Sequence, residues 1–200
     1  MLLLACGAPL ASCGGGEAGT IRRSVSQVMD GARIDSLSAL TALPCAARID
    51  ENQDPDDIAP GMATSRLNAA LAVRAPATKI VSQVSIEERQ LSGNLATFYR
   101  NWLGHPEEGD GKELKRVALR LQAGVLLVAG VLKWKQTDDY TRVGMVAGLF
   151  DGATGKMLWW SEQERQANSS PGDGAPPDYL TVVDSVIVAL LEELPGSGTP

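Results

Sequence analysis

Between residues 124 and 132 the chain reads Gly-Val-Leu-Leu-Val-Ala-Gly-Val-Leu, without one polar side chain. A run this short, rich in Val and Leu and opened by glycine, predicts a strand covered on both faces at the centre of a sheet. Charge returns at Lys133, so the strand is expected to leave the core for solvent around Trp134 and Lys135. A second strand is expected over 141–150. Asp151-Gly152-Ala153-Thr154-Gly155 then offers two glycines for positive φ and an Asp that bonds its own backbone, which suits a tight antiparallel connection. A third strand over 156–164 pairs back.

The pattern elsewhere supplies the cover. Residues 36–49 are modestly apolar with Pro44 in the middle, as for a first strand near an edge or one bulged at the proline. Asp56, Asp57 and Pro60 mark the start of a helix that runs to about Arg74. Ile80, Val84 and Ile86 alternate with polar residues, which predicts a strand over 79–86. Leu95, Phe98, Tyr99, Trp102 and Leu103 recur at helical spacing, with Ser92 as the cap and Gly104 as the stop. That aromatic face either packs on the domain or docks a partner. Residues 112–122 form an amphipathic helix that feeds the central strand. Residues 165–177, rich in Ser, Pro and Gly, are expected as a mobile loop. Asp178 then caps a last helix whose apolar positions run from Tyr179 to Leu194 and which must cover the sheet.

These elements predict an α/β domain, a mixed sheet of about four to five strands flanked by helices, with an antiparallel hairpin and a final helix at the C-terminal end. Two hundred residues hold one such domain over 36–195. A tail follows over 196–200. The net charge of −6 argues against nucleic acid as a partner, because phosphates are met by a basic face. One histidine and three cysteines, two of them within the first thirteen residues, leave a His/Cys metal site without its ligands. No cofactor is expected.

The amino terminus carries its own signal. Residues 1–12 read as a lipoprotein signal peptide: a short apolar run ends in Leu10-Ala11-Ser12-Cys13, an apolar residue and two small ones before a cysteine to be acylated. No Lys or Arg precedes the run, and Leu3-Leu4-Ala5-Cys6 is a second acceptable box. If the start lies upstream of Met1, Cys6 becomes the acylated residue; Cys13 is favoured. Several acyl chains anchor stably, since each buried methylene contributes about 0.8 kcal/mol. Gly14 after Cys13, where an Asp would retain the protein at the inner membrane, points to the outer membrane facing the periplasm. The other apolar runs fall well short of about 20 residues, so the membrane is reached through lipid alone. Residues 13–35 are expected as a flexible tether, with Ile21, Val25 and Val28 hinting at a short helix.

The stretch 123–131 and the segment Val146-Ala147-Gly148-Leu149-Phe150-Asp151-Gly152-Ala153-Thr154-Gly155-Lys156-Met157-Leu158-Trp159 resemble periplasmic lipoproteins with a TolB amino-terminal-like domain. That group includes the curli-secretion subunit CsgG and the lipoprotein activators of penicillin-binding proteins. Its second motif, Leu-x-Asp-x-x-Thr-Gly-x-x-x-Trp, is intact here; in its first, Val125-Leu126 replaces Asp-Tyr. The resemblance covers about 36–194. It implies a domain that binds protein or assembles into rings, without catalytic residues. A curli-type pore is not expected, because neither 91–111 nor 165–177 has the alternation a lipid-facing strand needs.

Candidate chemistry is sparse. Cys45 and His105 are separated by two helices and a strand, which disfavours a nucleophile and base pair, and Cys45 reads as a buried structural thiol. Were Cys6 acylated, a Cys13–Cys45 disulfide would become available in the oxidising periplasm. Glu87-Glu88 and Asp138-Asp139 read as polar turns. Trp159-Trp160 places one indole on each face of a strand. One is expected under the last helix, the other in an exposed patch with Trp134 across the sheet. The partner-binding candidates are therefore Trp134, Trp159, Trp160, Phe98 and Trp102. The expected function is that of a non-enzymatic binding or assembly factor, or alternatively a subunit of an oligomeric envelope ring.

Overall fold

A computed structural model describes residues 20–29, 40–49, 54, 57–169 and 178–195. The expectations placed on 1–12, on 170–177 and on 196–200 lie outside the described residues.

The apolar run becomes β5 (Val125–Gln136), the hairpin β6 (Tyr140–Asp151) and β7 (Met157–Asn168), three long antiparallel strands. The turn between β6 and β7 is built as its residues suggest. Asp151 Oδ1 accepts from the Thr154 N–H and hydroxyl, each at 2.6 Å, which holds the carboxyl below the usual range, and Gly155 sits at φ +73°. β7 runs four residues past the expected end, so Arg165–Asn168 are strand and not loop.

The first expected strand splits at Pro44 into β2 (Leu40–Ala42) and β3 (Ala46–Ala47), both parallel to β5. α1 (Ala59–Arg74) carries Pro60 in its first turn and is capped by Asp54, whose carboxylate accepts from Ile58 N–H at 3.1 Å and Ala59 N–H at 2.9 Å. The chain then returns as β4 (Lys79–Ile80), parallel to β2. The expected strand over 79–86 stops there. The Ser82 hydroxyl accepts from Ser85 N–H at 3.1 Å and starts α2 (Gln83–Glu88), which buries Ile86 and turns Val84 outward. α3 (Ser92–Trp102), α4 (Lys112–Leu121) and α5 (Tyr179–Glu192) follow as expected, except that neither Ser92 nor Asp178 makes a side-chain cap, and a 3₁₀ turn at Pro106–Glu108 lies between α3 and α4.

One element is new. β1 (Thr20–Val28) lies within the expected tether and is neither tether nor helix; it pairs antiparallel with β7. The sheet is thus mixed and open, in the order β1-β7-β6-β5-β2-β4, with β3 also on β5.

Strand alternation divides the core. Leu127, Ala129 and Val131 pack with α1 and α5, whereas Leu126 and Val128 pack with α3 and α4. Each fully buried Val, Leu or Ile on these helices contributes roughly 1.5–3 kcal/mol relative to exposure. α1 and α5 are also joined by the paired Arg66 and Asp184 side chains. No described helix is long and apolar enough to cross a membrane.

Candidate interaction surface

β1 presents the longest unpartnered backbone in the described chain. Thr20, Ile21, Val25 and Val28 are β-branched and favour extended backbone, while the residues between them are polar, as on a strand facing solvent. One side bonds to β7; among the described residues no strand occupies the other. Every residue of β1 is exposed except Val25, which is half-buried. The register shifts between Ile21 and Arg23, a one-residue bulge. Its effect is to put Ile21, opposite Arg165, on the same face as Val28, opposite Trp159. Both are more than half exposed, at 58% and 53%.

The other face of this edge is charged. Arg23 pairs with Glu162 at 3.1 Å, and Arg142 Nε donates to Glu164 at 2.6 Å. Both carboxylates are nevertheless buried. Burial pushes the Glu162 carboxyl up, and Glu164 and Glu107 add to this; Arg23 and Lys133 oppose it. With an arginine on each, these acids act as a charged lining of the sheet and not as a free acid and base.

The aromatic candidates lie elsewhere. Trp159 and Trp160 do point to opposite faces, Trp159 into the cluster with α5 and Trp160 into the cluster with α3 and α4. Neither is exposed, and Trp134, Phe98 and Trp102 are buried with them, so the expected aromatic surface patch does not exist on this chain. For Trp134 the cause is a second bulge, between Val131 and Lys133 on β5. It reverses the side-chain parity, turns Trp134 onto the α5 face, and lets Tyr179 stack on it at 4.3 Å and 8°. Phe98 stacks on Trp102 at 5.5 Å, and both meet Phe150 edge-on, so the aromatic face of α3 is packing. The Trp102 N–H donates to Pro106 O at 3.1 Å.

Other groups do less. Cys45 is buried and its thiol is pushed up to about 12 by burial, which makes it unreactive; Cys13 and Cys6 lie outside the described residues. His105, Glu107 and Glu108 bring one donor atom each within 4.8 Å of one another, but all three are exposed. Two grooves of about 420 and 540 Å³ share Arg48 and Arg100 on their walls, beside β3 and α3. The β1 edge was missed in the sequence because its polar residues outnumber its apolar ones. The one signal available was the β-branched type of Thr20, Ile21, Val25 and Val28, since the spacing of the last three is that of a helix.

No family model matches the chain, and no curated protein matches it. Among solved structures it is similar to the PelC dodecamer from Paraburkholderia phytofirmans, at 16% identity and a TM-score of 0.53, covering 86% of this chain and 98% of that one. A second PelC dodecamer from the same organism gives 20% identity and a TM-score of 0.53, over 88% and 97% of the two chains. The lipoprotein GNA1162 from Neisseria meningitidis is 18% identical over 77% of this chain and 95% of its own, with a TM-score of 0.40. At these identities the PelC likeness establishes a shared fold.

Proposed function

We propose that this chain is a lipoprotein of the bacterial envelope, anchored by acylated Cys13 at the periplasmic face of the outer membrane, that works by contact with protein chains and not by catalysis. The observation that carries the reading is β1, nine residues of strand with no strand on one side among the described residues. The lipobox at 10–13 supports the anchor, and the TolB amino-terminal-like motif at 149–159 supports a binding domain. The sheet takes in Thr20–Val28 ahead of the domain start expected at Ser36.

A second reading, a subunit of an oligomeric ring, is favoured by one finding: the two PelC structures of this fold are dodecamers. The anchor is tested by feeding a palmitate analogue to bacteria that express the chain. Label is expected on the unsubstituted protein and on Cys6→Ala, and lost in Cys13→Ala. Label retained in Cys13→Ala and lost in Cys6→Ala moves the anchor to Cys6, and no label on any of the three removes it.

A further inference from the structure

We propose that the open side of β1 seats β1 of a second copy of this chain, antiparallel about a two-fold axis through Val25. The inference rests on the reading that the chain works through protein contacts, and it names both the surface and its occupant. Residues directly opposite in an antiparallel ladder point to the same face. A two-fold axis normal to the sheet therefore sets one residue against its own copy and each residue before it against the residue equally far after it, so a strand whose side chains match outward from its centre pairs like with like.

β1 has that symmetry once its bulge residue, Arg22, is set aside. Read through the register, the strand runs Ile21, Arg23, Ser24, Val25, Ser26, Gln27, Val28: aliphatic, long polar, serine, valine, serine, long polar, aliphatic. Pairing about Val25 sets Ser24 against the second copy's Ser26 and Arg23 against its Gln27. At both ends Ile21 meets Val28. The two exposed aliphatic residues of the strand cover each other on the α1 and α5 face, while the Val25 pair lies on the face of Glu162.

Charge selects this register from its neighbours. Centring on Arg23 would oppose two arginines, which costs stability. Centring on Gln27 would leave Ile21 and Arg23 overhanging. Only the Val25 register covers both aliphatic residues and opposes no like charges. Without the bulge Ile21 and Val28 would fall on opposite faces, so the irregularity is what makes the edge self-matching.

The test uses the full chain with Cys6→Ala and Cys13→Ala, so that no acyl chain attaches and buried Cys45 is the only native thiol. Val25→Cys is expected to give a disulfide-linked dimer under mild copper–phenanthroline oxidation, because directly opposed Cβ atoms lie within reach of a disulfide. Ser24→Cys, offset from its own copy along the ladder, is expected to stay unlinked. In a second arm Ile21→Lys is expected to lose the dimer, and Ile21→Lys with Val28→Glu to restore it by opposing unlike charges. Both sites are exposed, so neither change should disturb the fold. Equal linking at both cysteine positions, or none at Val25→Cys, overturns the proposal. If the unsubstituted chain still assembles in solution while Val25→Cys does not link, only this interface fails; if it is also monomeric, the wider reading fails with it. Linking of Val25→Cys to a different protein assigns the edge to another occupant and likewise overturns it.

Discussion

Glu162 shows how little a side chain's type says about its state. It sits on a strand with Arg23 beside it, yet burial holds its carboxyl above the ordinary range. A group whose folded value is raised favours the fold below its unfolded value, and that contribution is lost as pH rises through the folded value. Ionised Glu162 is thus a cost at neutrality that Arg23 and Lys133 only partly offset. Glu162→Gln removes the titration. Urea midpoints from roughly pH 4 to pH 7 should show the variant gaining on the unsubstituted protein as pH rises; a variant that loses ground instead would mean the Arg23 pair outweighs desolvation. The two faces of Trp159 and Trp160 were legible in the sequence, because alternation follows from the covalent geometry of a strand. The burial of Trp134 was not, since a bulge on β5 reverses parity and leaves no mark in the residue types around it.

Elements were legible where a single period ran long enough. α3, α4, α5 and the hairpin came from apolar spacing and from the Asp151 turn, α1 came from the start signals at Asp56, Asp57 and Pro60, and the α/β class followed from their order. Two short segments failed for local reasons: a capping serine converted 83–88 from strand to helix, and solvent on both faces of β1 hid its period. How α3 meets the sheet is a matter of one missing side chain. A Cβ on Gly130 would come within 2.3 Å of Leu103 Cδ2, so the glycine in the central strand is where the end of α3 seats. Gly130→Ala should cost about 1–3 kcal/mol by overpacking, read as a fall in the urea midpoint. A midpoint at or above that of the unsubstituted protein would mean that α3 shifts to make room at no cost.

At the scale of the molecule, the faces of the sheet are covered and, among the described residues, one edge is not. Both faces carry helices over the centre, every tryptophan and phenylalanine is consumed in packing, and what remains unpartnered among the described residues is backbone along β1. The candidate surface was therefore the least legible part of the chain: the sequence advertised tryptophans, which the fold buries, and hid an edge made of serine, arginine and valine. Light scattering on the purified full-length chain carrying Cys6→Ala and Cys13→Ala, which is neither cleaved nor acylated, across a concentration series with detergent mass subtracted, asks whether that edge is used. A molar mass at a multiple of 21.1 kDa is expected, falling when Ile21→Lys is introduced. A mass of 21.1 kDa at every concentration, indifferent to Ile21→Lys, would contradict an edge that seats its own copy.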